Sequence, residues 1–320
     1  MRAVVMKEFG APHVLRLEEV PEPAPGAGEV VIDVELANVT FVETQIRAGR
    51  PPNPAMLPAL PAILGNGVGG TVAGSGAASG LAGRRVVTGL TGTGGYAERA
   101  VAAVQRVIEV PDAMELRDAV ALLADGRTAV AVMESARITA GETVLVEAAA
   151  GGVGTLLVQL ARNAGARVVA LASQEHKLAT ARALGADLVI DYSTQDWPLR
   201  VRAAAGEVDA VFDGVGGDIG LAAFGLLRAG GRFCPFGMAS GSFAPVTPQL
   251  ADERRVTVVR SGPPSAEQLM RLTQAALDEA AAGRICPVIG QEFELPQAAA
   301  AHAAIEARTT TGKTLLTVSP

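Results

Sequence analysis

Aromatic side chains are scarce in this chain. One tryptophan, two tyrosines and eight phenylalanines amount to 3% of 320 residues. Few rings are therefore left to stack on a planar ligand, and Phe41, Tyr96 and Phe243 are the candidates. Cysteine is scarcer still. Cys234 and Cys286 are the only two, with three histidines, His13, His176 and His302. No C-x-x-C occurs, and these residues form no metal-ligand cluster along the sequence, so a disulfide scaffold is excluded and no metal is expected. Cys234 lies in an apolar strand pattern and His302 in an Ala-rich helix, where both read as packing residues. Blocks of like charge are missing and the net charge is −6, which argues against a nucleic-acid surface. No apolar run is long enough to span a bilayer, and Met1-Arg2-Ala3-Val4-Val5-Met6-Lys7 lacks the layout of a secretory signal. The expectation is a cytoplasmic protein whose partner is a small molecule, with neither nucleic acid nor membrane involved.

What the chain has in quantity is glycine, 37 residues, in a background that is 49% hydrophobic and 19% charged. That composition fits a compact α/β protein, and the length suggests two domains. The organising stretch is residues 143–192. An apolar run, Thr143-Val144-Leu145-Val146, leads into Ala148-Ala149-Ala150-Gly151-Gly152-Val153-Gly154. A helical pattern follows, with Leu156, Leu157, Leu160 and Ala161 on one face, and then a second apolar run at 167–171. Strand, glycine turn, helix, strand is a βαβ unit. Gly151, Gly152 and Gly154 let the turn tighten and let the backbone approach a pyrophosphate, which the free N–H groups of the helix start would face. Ala149 replaces the first glycine of G-x-G-x-x-G. A glycine-rich structural turn is the alternative, but the flanking elements favour dinucleotide binding.

The end of the second strand selects the cofactor. A site for NAD places Asp or Glu there, to bond the ribose 2′-hydroxyl. This chain has Ser173-Gln174-Glu175-His176-Lys177. A hydroxyl and a cation suit a 2′-phosphate, so NADPH is expected. The alternative has Ser173 capping the next helix and Lys177 as a solvated charge.

Before this stretch the chain reads as β-rich. Short alternating runs at 3–6, 14–20, 29–37, 64–73, 85–88 and 96–104 are separated by Gly/Pro turns, which suggests a partly closed β domain. Residues 51–61 form a proline-rich connection. A helical pattern at 116–136 is interrupted at Asp125-Gly126-Arg127-Thr128. Beyond 192, strands at 208–212 and 232–236 end in glycine clusters at 213–217 and 236–241, with a helix at 221–228 between them. In an open parallel sheet these clusters, Val215, Phe236, Gly237 and Ser240 among them, border the nicotinamide half of the cofactor. Helices at 265–282 and 296–308 precede a last strand at 313–318, which returns to the first domain.

The pattern resembles the zinc-independent quinone oxidoreductases of the medium-chain dehydrogenase/reductase superfamily. The resemblance covers nearly the whole chain: Ile46-Arg47-Ala48-Gly49, the turn at 148–154, Ser173 with Lys177, Ala183-Leu184-Gly185-Ala186-Asp187, Asp191-Tyr192, Gly230-Gly231-Arg232 and Gly312-Lys313. It implies an α/β fold made of a GroES-like, partly closed β-barrel domain at 1–117 and 262–320 and a Rossmann domain, a doubly wound parallel sheet binding NADPH, at 118–261. It implies that Ser173, Lys177 and Tyr192 hold the adenosine phosphate end. It likewise implies that Thr128, Gly151, Gly152, Val153 and Gly154 serve the pyrophosphate, and that Phe236, Gly237 and Ser240 line the nicotinamide. A homodimer through an edge strand near 256–259 is also implied.

The substrate face departs from the family. In Ala37-Asn38-Val39-Thr40-Phe41-Val42-Glu43, Thr40 replaces the family's substrate-facing Asn and Glu43 its Asp. Gln45 stands where some quinone reductases have Tyr, and Gly67 where an acid is frequent. Thr40 also takes the approximate place of a cysteine ligand in zinc-dependent relatives. The implied activity is NADPH-dependent hydride transfer to a quinone or an α,β-unsaturated carbonyl, with Thr40 hydrogen-bonding a substrate oxygen and Phe41, Gln45 and Tyr96 lining the substrate. An enoyl-thioester reductase and a non-catalytic NADPH-binding protein are the alternatives.

Overall fold

The computed structural model describes residues 1–75, 80–259 and 264–318. The chain divides into two compact units, Met1–Ala124 with Pro287–Pro320, and Asp125–Cys286. The first opens with β1 (Arg2–Met6), β2 (Leu15–Glu19), β3 (Glu29–Val39), α1 (Phe41–Arg47), β4 (Ala62–Ile63), β5 (Gly67–Ser75), β6 (Arg85–Gly89), β7 (Arg99–Ala103), β8 (Val107–Glu109) and α2 (Leu116–Leu122). The second unit alternates helix and strand: α3 (Asp125–Ala136), β9 (Thr143–Val146), α4 (Gly152–Asn163), β10 (Arg167–Ala172), α5 (Glu175–Ala183), β11 (Leu188–Asp191), α6 (Trp197–Ala205), β12 (Val208–Asp213), α7 (Gly217–Phe224), β13 (Leu227–Pro235), α8 (Pro248–Arg254), β14 (Thr257–Val258) and α9 (Ala266–Ala281). The chain then returns with β15 (Ile289–Glu294), α10 (Ala298–Glu306) and β16 (Lys313–Thr317).

In the second unit the strand order is β11-β10-β9-β12-β13-β14, with every pair parallel. Parallel strands covered on both faces must be apolar throughout, and β9 and β10 are; Val144, Leu145, Val146, Val168, Val169 and Leu171 have no exposed surface. The order reverses beside β9, so the crevice at the carboxyl ends of β9 and β12 is the switch point where such sheets bind ligands. Phe224 and Phe233 meet edge to face at 5.5 Å in this core, a geometry worth about 0.5–1.5 kcal/mol beyond area burial.

The first unit is antiparallel around β3, which pairs with β5, β7 and β16. Val30, Ile32 and Val34 alternate into a core with Val68, Val72 and Val86, the period-two pattern that a half-buried strand requires. β16 closes on β3, so the last strand returns to the first unit as expected.

Four boundaries differ from the sequence expectation. The helical stretch at 116–136 breaks at Leu123–Ala124, and Asp125 to Thr128 form the first turn of α3. The helix expected to reach 228 ends at Phe224, because β13 begins at Leu227. The division expected at 117/118 lies at 124/125. The other, expected at 261/262, falls outside the described residues; the units divide at 286/287 instead. α9 belongs to the second unit because Leu272 and Ala276 pack on Val130 of α3. The Arg271 guanidinium reinforces this with two 2.7 Å bonds to Glu134.

Candidate functional site

The glycine turn is set by backbone contacts. Gly151 N–H donates to Ala148 O at 2.8 Å, and α4 starts one residue later. Any β-carbon on Gly154 would overlap Ala148 O. The left-handed residue of the turn is Ala148 (φ +46°), while Ala149 sits buried with its N–H on Leu171 O at 3.0 Å. Ala149 therefore needs no glycine's freedom, which is why the fingerprint survives its replacement. Gly152 has another neighbour: a β-carbon there would overlap the Asp125 carboxylate. An acid thus lies against the first turn of α4, where the helix offers N–H groups and positive potential. Burial lowers the proton affinity of Arg127 in the same turn, and the Asp125 charge opposes that shift. Thr128 is half-buried in that turn of α3.

At the strand end expected to face the adenosine, Ala172 and Asp191 are register partners at the ends of β10 and β11. Ser173 follows β10, half-buried. Gln174, not Ser173, is the N-cap of α5, so the capping alternative for Ser173 falls away. Lys177 is nearly buried at 9% exposure in the first turn of α5. Tyr192 N–H reaches back to Ala172 O at 3.1 Å. Ser173, Lys177 and Tyr192 are thus gathered around one strand end, and no carboxylate side chain begins at Ser173.

At the other end of the crevice, Phe236 N–H donates to Asp213 O at 2.9 Å and Ser240 N–H to Val215 O at 2.8 Å. A β-carbon on Gly214 would lie 2.6 Å from Phe236 Cζ, and one on Gly237 2.6 Å from Gly214 O. The two glycine loops expected to border one ligand therefore pack on each other. Val215 is buried at 2% exposure, and Ser240 is exposed. Phe243 is half exposed in the same loop. Beneath lie two buried acids that the sequence reading did not single out, Glu147 and Asp213. Burial pushes Glu147 well above the usual carboxyl range, and the Asp213 charge adds to it. Burial also raises Asp213, while its hydrogen bond with Glu147 acts the other way. The signal was present: Glu147 directly follows the apolar run of β9.

In the first unit, Thr40 is the half-buried N-cap of α1, and Thr40-x-x-Glu43 has the capping-box spacing, with the Glu43 carboxylate reaching back to the Thr40 N–H while the Thr40 hydroxyl makes no cap bond of its own. Glu43 has no exposed surface. Its Oε2 accepts from Thr40 N (2.7 Å), Thr40 Oγ1 (2.9 Å) and Tyr96 OH (3.2 Å), and its Oε1 from Asn66 N (2.8 Å). Burial raises its proton affinity; the Thr40 bonds, the Lys313 charge and the Asn66 bond oppose that. Tyr96 OH also meets His302 Nε2 at 3.0 Å, the rings T-shaped at 5.8 Å. Tyr96 is wholly buried, so its expected role against a substrate is replaced by one inside the fold. Gln45 is buried too, at 9% exposure, with its amide on Thr44 Oγ1 at 3.1 Å. Phe41 remains half exposed beside Thr40. A β-carbon on Gly67 would come within 2.9 Å of Asn38 Nδ2 and 3.0 Å of Leu123 Cδ1. The Asn38 amide occupies the room an acid at 67 would need.

His302, expected to be a packing residue, is both buried and hydrogen-bonded; burial, with Arg47 nearby, lowers its pKa to about 3. Cys234 is a packing residue whose thiol burial pushes up to about 12. Among the described residues, no three His, Cys, Asp or Glu side chains converge to hold a metal ion. No helix among them is long and apolar enough to cross a membrane.

Two family models match: the alcohol dehydrogenase GroES-like domain over residues 26–112, and the zinc-binding dehydrogenase over residues 152–275. The zinc of the second description has no donor set among the described residues. A 2-haloacrylate reductase of a Burkholderia species is 32% identical, covering 99% of this chain and 98% of its own. A rat quinone oxidoreductase is 33% identical over 94% and 93%. Among solved structures, a mycobacterial protein in complex with NADPH superposes with a TM-score of 0.90, at 34% identity, covering 99% of this chain and all of that one.

Proposed function

The chain belongs to the quinone oxidoreductase-like family of the medium-chain dehydrogenase/reductase superfamily, and on that premise we propose that it reduces a quinone or an α,β-unsaturated carbonyl compound with NADPH. The observation that carries the cofactor is the end of β10. Ser173, Lys177 and Tyr192 gather where an NAD site would place an acid, and a hydroxyl with a cation suits a phosphate. The turn at 148–154, tight against Ala148 O at Gly151 and closed against it at Gly154, fits a pyrophosphate facing the first N–H groups of α4. Thr128 and Val153 flank it; Val215, Phe236, Gly237 and Ser240 form the nicotinamide wall. When bound, NADPH supplies the hydride.

The protein's part is to hold and orient. Thr40 and Phe41 are the substrate contacts in the first unit. A reduced quinone takes its proton from solvent. The relative named for 2-haloacrylate supports an electron-poor carbon–carbon double bond as the other substrate class. The test is a pair of measurements. NADPH is expected to bind more tightly than NADH, and Ser173→Asp or Lys177→Ala to weaken NADPH roughly tenfold to a hundredfold, the loss of a charged hydrogen bond. NADPH oxidation is then followed with benzoquinone, phenanthrenequinone, crotonyl-CoA and a 2-haloacrylate. Tight binding with no turnover of any of them would sink the reductase reading and leave a binding protein.

Assembly and setting are part of the same reading. β14 is the edge of the parallel sheet among the described residues, an edge strand is a template for pairing with another chain, and a second copy pairing there makes a homodimer. Light scattering at a mass of one chain would refute this. Two cysteines outside any disulfide suit a reducing compartment such as the cytoplasm.

A further inference from the structure

The hydrogen bonds around Glu43 have a direction. His302 Nε2 lies 3.0 Å from Tyr96 OH, and its Nδ1 is buried with no partner among the described residues. A bare ring nitrogen is tolerated there more readily than an orphaned N–H. The hydrogen of this neutral ring therefore sits on Nε2 and is given to the Tyr96 oxygen. Tyr96 must then give its own hydrogen to Glu43. Two of the remaining contacts on Glu43 are backbone N–H groups, those of Thr40 and Asn66, and these can only donate. Three of the four contacts are thus fixed donors, and the buried Lys313 adds a favourable positive charge. A carboxylate meets three donors as an acceptor throughout. The fourth contact, Thr40 Oγ1 at 2.9 Å, completes the set by turning its hydrogen inward.

Glu43, Tyr96 and His302 have no exposed surface, whereas Thr40 and Asn66 are half-buried. Thr40 Oγ1 is where this network meets the surface. One of its lone pairs faces Asn66 Nδ2 at 3.4 Å; the Thr40 side chain accepts no helix-cap hydrogen bond, which leaves the other without a donor among the described residues. We propose that Glu43, through the hydrogen bond it accepts from Thr40, fixes the Thr40 hydroxyl as an acceptor, so that the substrate face holds a group that brings its own hydrogen, such as the phenolic hydroxyl of a hydroquinone or an enol, in preference to a carbonyl oxygen. This rests on the reading that Thr40 faces the substrate. Glu43 is a positioning residue in this scheme, since it acts only through Thr40. The reduced, protonated form of the substrate is then the better ligand, and its release opposes turnover.

The hydrogen positions can be read without any ligand. A neutron structure of the deuterium-exchanged protein is expected to show deuterium on Thr40 Oγ1 directed at Glu43 Oε2, and none on Oε2. Deuterium bound to Glu43 Oε2 overturns the proposal, whatever the protein turns over. In solution, cofactor-free protein is titrated with 1-naphthol, a donor, and with 1-methoxynaphthalene, which only accepts. Wild type and Thr40→Ser are expected to bind the naphthol about tenfold more tightly, the size of one neutral hydrogen bond. Thr40→Val should bring the two within about twofold. Equal affinities in wild type, failure to bind either included, or a preference that survives Thr40→Val, overturn it. Failure of NADPH oxidation beside the expected neutron result would sink the reductase reading alone.

Discussion

Glu147 and Asp213 grip the same backbone donor. Val215 N–H lies 3.2 Å from Glu147 Oε2 and 3.1 Å from Asp213 Oδ1, and Gly216 N–H adds a 2.6 Å bond to the latter. Neither acid has exposed surface. Their other oxygens, Glu147 Oε1 and Asp213 Oδ2, have no donor among the described residues; the two carboxyls hydrogen-bond to each other, which requires one proton held between them. The pair clamps the turn after β12.

That pairing makes stability depend on pH. Burial holds both proton affinities above the ordinary carboxyl range. A raised folded-state value means the stabilisation is complete on the acid side of the ordinary range and is lost as pH rises through the raised value. Glu147→Gln keeps an acceptor for Val215 and gives Asp213 a permanent N–H. Its melting temperature at about pH 9 should exceed wild type by roughly 2–4 °C, about 1 kcal/mol in a chain of this size. Parallel stability–pH curves for the two proteins would refute the shared proton.

Gly154→Ala tests the turn. The added methyl meets backbone, Ala148 O, which cannot swing aside as a side chain would. The expected cost is about 2–3 kcal/mol of overpacking, seen in chemical denaturation. NADPH affinity should drop at least about tenfold as the helix start is pushed off the strand. A variant with wild-type stability would mean that the close approach at Gly154 is not real.

Asp125→Asn removes an anion from the first turn of α4, where Gly152 leaves room for it. A pyrophosphate binding there should gain roughly three- to tenfold in affinity, and more at low salt, since the repulsion is screened as ionic strength rises. Arg127, whose proton affinity the Asp125 charge supports, adds to the gain once its partner is neutral. Fluorescence titration of NADPH at two salt concentrations reads both effects. Weaker binding in the variant would assign Asp125 a holding role instead.

His302 sets an acid limit on the first unit. Its folded-state pKa is lowered from 6.5 to about 3, by burial and then by Arg47. The neutral ring's contribution is intact above the ordinary value and is lost as pH falls toward the folded one, at about 1.4 kcal/mol per pH unit. His302→Leu should be less stable at neutral pH, because Tyr96 loses a partner, yet its stability should fall less steeply with acid by one proton's slope. Denaturant titrations at several pH values decide; an unchanged slope would mean that His302 does not titrate on unfolding.

Much of the fold and the backbone of the glycine turn could be read from the chain because both rest on local chemistry. Apolar runs at 143–146 and 167–171 become buried parallel strands whatever surrounds them, and Gly151, Gly152 and Gly154 act through the conformation of their own turn. Ser173 and Lys177 were recognisable because both lie within a few residues of one strand end. Short elements escaped. α8 carries Thr247, whose hydroxyl accepts from Leu250 N at 3.1 Å, and a proline in its first turn, but seven residues are too few for a period to emerge.

What the sequence by itself determined, then, was the alternation of strand and helix, the tight glycine turn and the absence of an acid at the end of β10. Only the tertiary structure decided which polar groups meet. Glu43, Tyr96 and His302 are separated by 53 and 206 residues along the chain, and nothing in their neighbours marks them as partners. The same holds for Asn38 above Gly67 and for Glu147 beside Asp213. Periodicity records which face a residue turns to the core. The partner of a buried polar group is fixed by strand pairing and helix packing across the fold, and its direction of hydrogen bonding by the whole network.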